Sequence, residues 1–135
     1  KFPTALLSMF RALEFLRREH GVDKCILMGD SAGGCLVAMA AALLQNEALL
    51  LELEKATGEA LAGRAYPKIE SLICLYAILD QKACMVASPW YVRLALRFIY
   101  RCYCPKPIPH MGTDFTLDDV LDRVTQIPPV LVAAG

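Results

Sequence analysis

The sequence predicts an α/β fold, with three parallel strands and helices packed around them. Three observations predict it. Apolar stretches of strand length alternate with stretches of helical period, the order that builds βαβ units. The strand candidate at 69–79 is nearly unbroken apolar sequence, and those at 22–28, with Cys25 to Met28 apolar, and at 130–134 read the same way, the pattern expected where helices cover both faces of a parallel sheet. The first of them runs directly into Gly29-Asp30-Ser31-Ala32-Gly33 and then into an Ala-rich helix, which places a serine at the apex of a strand, a sharp turn and a helix.

Phe2, Leu6, Met9, Leu13 and Leu16 recur at spacings of four and three, one apolar face of a helix from Pro3 to His20. Pro3 suits a first-turn position and Gly21 a C-terminal stop. Arg17, Arg18 and His20 fall in the last turn, where cations complement the helix dipole, so His20 reads as a helix-end residue. After the strand Val22 to Met28, a helix begins at Ala32, stays apolar through Leu44 and is expected to continue to Leu53, with Glu47, Glu52 and Glu54 on its wet side. Thr57 to Lys68 carries two Gly and one Pro and reads as a loop. The second strand, Ile69 to Leu79, ends at Asp80.

Ser88-Pro89 opens a further helix, with Ser as N-cap and Pro at the first position. Trp90, Tyr91, Leu94, Phe98, Ile99 and Tyr103 give it an aromatic-rich side, while Arg93, Arg97 and Arg101 line up at i, i+4, i+8. This is either a lid over an acyl pocket, a surface that meets a membrane, or an amphipathic helix with a solvated Arg stripe. Pro105, Pro107 and Pro109 make an extended connector holding His110. Thr116 with Asp119 forms a capping box for a short helix, Leu117 to Val124, and Ile127-Pro128-Pro129 leads into the last strand.

The stretch around Ser31 carries the chemistry. Gly29-Asp30-Ser31-Ala32-Gly33 fits the G-x-S-x-G pattern of a nucleophile elbow, where the chain reverses so sharply that the serine is strained. Residues at 29 and 33 must be small, because a side chain at either would collide with the turning backbone or with the packed strand and helix. The hydroxyl of Ser31 is then lifted clear of the sheet. The backbone N–H of Ala32, the first unpaired donor of the new helix, points to where a carbonyl oxygen would become negative. Two rival motifs fail. GDSAGG is one Ala away from the GDSGG loop of chymotrypsin-like proteases, but those are all-β and an Ala-rich helix follows here. A dinucleotide fingerprint fails because Ser31 stands where its second glycine belongs.

Composition bounds the remainder. The 135 residues suit one domain, able to bury about two thirds of its unfolded surface. Net charge is zero, so no nucleic-acid or acidic partner is indicated, and no run reaches the roughly 18 apolar residues that span a bilayer. Cys25, Cys35, Cys74, Cys84, Cys102 and Cys104 lie in strands, helices and a C-x-C pair without zinc spacing. All six read as reduced thiols, which favours an intracellular setting, cytoplasmic or associated with the endoplasmic reticulum.

ILMGDSAGG, the Ala-rich helix, the strand ending Leu79-Asp80, the aromatic helix and IPPVLVAAG together resemble the α/β-hydrolase superfamily. More narrowly they are similar to its hormone-sensitive-lipase-like branch of arylacetamide deacetylases and carboxylesterases. The resemblance implies a serine ester hydrolase acting through an acyl-enzyme on small-molecule esters or acetylated substrates, with no metal or cofactor. Ser31 would be the nucleophile, the Ala32 amide an oxyanion donor, and Gly29, Asp30, Gly33 and Gly34 the elbow. Segments 22–29, 69–79 and 130–134 would be the fifth to seventh strands of an eight-stranded sheet, within a partial sheet truncated at both ends. Residues 1–135 would then be the central part of the domain, with 22–53 as strand, elbow and helix and 82–126 as cap and connector.

The family's HGGG loop is absent, and its catalytic Asp and His are expected beyond Gly135. Asp80 is either an acid set one strand early or a structural strand-end residue. A serine without its base loses on the order of a million-fold in turnover, so the isolated chain is expected to be nearly inactive. Two alternatives remain: a non-catalytic small-molecule receptor on the same fold, as plant gibberellin receptors are, and an α/β-hydrolase peptidase.

Overall fold

The computed structural model describes residues 2–103 and 117–133. The connector with Cys104, His110 and Thr116 lies outside them, as does Ala134. Helix α1 spans Thr4–His20 and strand β1 spans Lys24–Asp30. Helices α2 and α3 follow over Ala32–Leu44 and Glu47–Thr57, then strand β2 over Lys68–Leu75. Helices α4 (Gln81–Ala87), α5 (Trp90–Tyr103) and α6 (Leu117–Asp122) precede strand β3 (Val130–Ala133). The strands form one parallel sheet in the order β1-β2-β3.

The centre of the fold is α2. Val37 through Leu43 are all buried, and the helix packs on β1 and β2 below it and on α1, α3 and α6 around it. An apolar helix contacted on this many sides needs slim side chains, and alanines at 38 and 40–42 let the neighbouring backbones close in. Helix α1 meets this core through Leu6, Phe10 and Leu13, and α3 through Leu49, Leu50 and Leu53. Gly21 closes α1 at φ 63°, its N–H bonded to Leu16 O, as its glycine stop predicts.

Four expectations are corrected. The core face of α1 is wider than the spacing implied, with Phe10 buried beside Leu6 and Leu13 and with Phe2 and Met9 partly buried against the core, while Leu16 is 38% exposed because the helix ends one turn after leaving the core. The helix after Ser31 does not run on to Leu53: it stops at Gln45 and α3 restarts at a bend of 110°. Asn46 makes the break, its side chain accepting a hydrogen bond from Leu49 N–H as an N-cap and donating to Arg123 O. Strand β2 ends at Leu75, four residues early, since Tyr76 turns into left-handed backbone at φ 51°.

The fourth concerns the sheet. Among the described residues helices cover one face, carrying Cys25, Leu27, Ile69, Leu72 and Cys74. On the other face Ile26 is 58%, Met28 66% and Leu131 62% exposed. The apolar runs therefore specify a sheet built for two covers, of which these residues supply one. Helix α4 was also not expected from the sequence. Asp80 caps it, Oδ1 accepting from Ala83 N–H at 2.7 Å, and the following Ser88-Pro89 starts α5 one residue later than expected, with Arg93 N–H bonded to Pro89 O. On α5, Arg93 and Arg97 are solvated, and Trp90, Tyr91, Leu94, Phe98 and Ile99 are exposed.

The segment between α3 and β2 is tied down by polar contacts. Glu54 accepts from the N–H groups of Leu61 and Ala62 at 2.7 and 3.0 Å, which lowers its pKa. The Tyr66 ring tilts on Phe10 and its hydroxyl donates to Leu61 O at 3.0 Å. Burial pushes the Tyr66 pKa up to about 12. A raised tyrosine pKa means the folded state holds a proton that the unfolded chain releases, so stability is full below about pH 10 and falls as pH rises towards 12. Urea midpoints measured across pH 9 to about 12 are expected to drop less steeply in Tyr66→Phe than in the wild type; parallel curves would contradict the assignment.

Candidate active site

Strand β1 delivers Ser31 to the C-terminal end of the sheet. Ser31 N–H donates to Leu75 O at 2.7 Å, one further rung of the β1–β2 ladder. The chain then reverses, with Ser31 at φ 51° and ψ −117°. A non-glycine residue in this region costs roughly 1–3 kcal/mol. Serine in the N-cap position ordinarily spends its hydroxyl on a backbone N–H of the first turn. Ser31 makes no such cap bond, and the residue is exposed, so its hydroxyl is free to project outward.

The turn is tight because β1 and α2 nearly touch. A Cβ on Gly29 would lie 2.2 Å from Gly33 O and 2.6 Å from Gly34 N, inside backbone that cannot move aside. A Cβ on Gly34 would meet the Ala77 Cβ at 2.6 Å. Gly33, expected to be just as confined, faces open space. The second position that must stay small is thus 34, because the chain just after β2, at Ala77, leans on the first turn of α2. Ala32 is the first residue of α2, and its N–H is one of the donors a helix start leaves without an intrahelical acceptor. It lies beside Ser31 at the positive end of the helix dipole.

The thiols near the turn are held in their neutral form. Cys35 Sγ donates to Ile78 O at 3.3 Å and Cys74 Sγ to Gly34 O at 3.6 Å. Burial is the main cause that raises both pKa values, so neither supplies a thiolate near neutral pH. Asp30 is exposed at the end of β1. Asp80 is occupied as the cap of α4, five residues past the end of β2, so its role is structural but it does not stand at a strand end. His20 stacks edge-on against Phe15 at 5.2 Å and precedes the start of β1, so the length of that strand, roughly 20 Å, separates it from Ser31. A shallow depression lined by Gln45, Lys68, Glu70, Gln126 and Pro128 opens at that same N-terminal end, away from the serine.

The structure brings Ser31, Ala32, Gly29, Asp30, Gly33 and Gly34 together as one turn. Tyr76, one ladder step past Leu75, has a left-handed backbone that sequence reading missed. The aromatic residue sat inside an apolar run and carried no turn signal.

Gly29→Ala is expected to destabilise the fold by at least about 3 kcal/mol, and Gly33→Ala to be neutral or stabilising by up to about 1 kcal/mol. Chemical denaturation of the two variants side by side checks this; equal losses would contradict the geometry. Asp80→Ala should cost about 1 kcal/mol of stability through the lost cap, without the collapse of turnover that removing an acid brings.

No curated protein sequence matches the chain. Two solved structures of esterase B from Lactobacillus rhamnosis are similar to it, one inhibited by a C4-C4 SN3 tributyrin phosphonate and the other described as C6-C4 SN3 inhibited. Each is 17% identical and is covered over 94% of this chain, with TM-scores of 0.67 and 0.69. The chain spans 38% and 39% of the length of those esterase chains. A family described as the alpha/beta hydrolase fold matches residues 1–135. The chain belongs to the alpha/beta hydrolase fold family.

Proposed function

We propose that this chain carries the nucleophile of a serine ester hydrolase. The observation that carries the reading is the conformation of Ser31: left-handed at φ 51°, exposed, uncapped, and placed beside the first N–H of α2. A protein bears such strain where the surroundings enforce it, and an exposed hydroxyl aimed away from every structural use has a chemical one. Family membership and the likeness to two structures of an inhibited esterase, one of them with a tributyrin phosphonate, support the same reaction class. Small-molecule carboxylic esters are the substrates that fit it.

In the proposed reaction Ser31 Oγ attacks the ester carbonyl carbon as a general base takes its proton. The carbonyl oxygen becomes negative and is received by Ala32 N–H, where the helix dipole adds favourable potential. The tetrahedral species expels the alcohol, which leaves with that proton, and an acyl group remains on Ser31. Water, deprotonated by the same base, releases the carboxylic acid and restores the hydroxyl. The described histidine, His20, is too distant to be that base. The chain spans 38% and 39% of the esterase chains it resembles, and we read it as the central part of a longer hydrolase domain whose base, acid and further oxyanion donors come from other segments.

With the full-length protein, Ser31→Ala is expected to lower kcat for p-nitrophenyl butyrate by on the order of a million-fold while leaving the melting temperature near that of the wild type. A fluorophosphonate should label the wild type at Ser31 and leave the variant unlabelled. Full turnover in Ser31→Ala would end the proposal.

A further inference from the structure

Two non-glycine residues among those described have left-handed backbone, Ser31 and Tyr76, both at φ 51°. They are neighbours. Asp30 pairs with Leu75 at the end of the β1–β2 ladder, and Ser31 N–H bonded to Leu75 O makes Tyr76 the next partner across the rung. Adjacent strands in a sheet lie about 4.8 Å apart, so the backbones of the serine and the tyrosine run side by side at the C-terminal end of the sheet.

We infer that Tyr76 is a substrate-positioning residue of the Ser31 site, its ring forming an apolar wall for the part of the ester that flanks the scissile carbonyl. The inference rests on the reading of Ser31 as the nucleophile and deepens it. Three observations converge on it. Tyr76 is 64% exposed, so burial does not explain why an aromatic residue stands there. Its backbone is strained where glycine would be relaxed, so the side chain is kept at a cost that a purely structural turn would avoid.

The strained segment is also fixed on both sides. Tyr76 N–H donates to Ala133 O at 2.7 Å, extending the β2–β3 ladder by one rung. Beyond it, Ala77 sits against Gly34 and Ile78 O accepts from Cys35 Sγ, both in the first turn of α2. The same helix turn that shapes the elbow thus holds the chain that carries Tyr76. Ser31 and Tyr76 are locked into one frame, as a contact that must position a substrate against a nucleophile requires. The ring offers a flat apolar face to an acyl or alkyl group, with its hydroxyl left at the wet rim.

The test separates ring from backbone. In the full-length protein, Tyr76→Gly removes the ring and relieves the strain, Tyr76→Ala removes the ring and keeps it, and Tyr76→Phe keeps both. Steady-state rates are measured on p-nitrophenyl acetate, butyrate and hexanoate, with melting temperatures alongside and Ser31→Ala as control. Tyr76→Gly and Tyr76→Ala are both expected to lower kcat/KM for the hexanoate by about tenfold, mainly through KM and less for the acetate. The glycine variant should melt higher than the alanine variant. Tyr76→Phe should lose less than about threefold.

Activity then follows the ring while stability follows the backbone, a split that a merely structural tyrosine would not produce. If Ser31→Ala is inactive and the glycine and alanine variants keep wild-type kcat/KM on every ester, the assignment to Tyr76 is overturned and the serine reading stands. A Phe variant as impaired as the Ala variant also overturns it, since the ring alone would not suffice. If Ser31→Ala keeps its rate, both readings fall, and the control shows which fell first.

Discussion

The structure depends on how closely the end of β1 and the start of α2 can approach. Gly29 sits so near the Gly33 carbonyl that a single added carbon would overlap backbone. That contact forces the reversal at Ser31, and the reversal decides where the hydroxyl goes. Gly34 repeats the constraint one step further along, admitting Ala77 and so bringing the chain after β2 against the same helix turn. The strain at residue 31 persists because α2 cannot rotate to relieve it. Its middle is buried from Val37 through Leu43 against two strands and three helices, and shifting it would open cavities at many contacts at once.

The parts legible in the sequence are those whose physical cause is local. A serine between small residues, with an apolar run before and an alanine run after, specifies a strand, a turn and a helix without reference to anything distant. The glycine that ends α1 and the apolar spacing of Leu6 and Leu13 are legible for the same reason. What could not be read depends on partners far away in the chain. Gly33 and Gly34 are indistinguishable by type, and which one must lack a side chain is decided by Ala77, more than forty residues later. The early end of β2 is equally hidden, since Tyr76 and Ala77 continue an apolar run while their backbone leaves the strand. Asn46 was a cap signal in plain view, masked by the helix-forming residues on both sides of it.

The two ends of the sheet are chemically different. At the N-terminal end, Lys24 pairs with Glu70, Arg17 with Asp23, and His20 closes α1. These are solvated contacts, of small energetic weight, that suit a surface kept hydrated. At the C-terminal end the described groups include an uncapped hydroxyl, the exposed Asp30 carboxylate, two thiols that burial keeps protonated, a carboxylate used as a helix cap, and an exposed phenol. Parallel strands aim their C-terminal ends and the starts of the following helices at one side. Unsatisfied N–H groups collect there, so a charge that develops on a substrate oxygen meets a positive field on that side of the sheet.

The two left-handed residues bring strain and stability into one argument. Each costs roughly 1–3 kcal/mol, so together they take a large share of the 5–15 kcal/mol by which a domain is ordinarily stable. Relief would be simple at position 76, where glycine fits the backbone without penalty. At position 31 glycine would fit equally well and the fold would keep its turn. Both sites nevertheless hold exposed side chains on backbones joined by one ladder, which on the proposed reading is where the strain finds its use. The ladder bonds to Leu75 and Ala133 and the Cys35–Ile78 contact then have a common purpose. They stop either backbone from relaxing alone, so the sheet holds the two residues side by side.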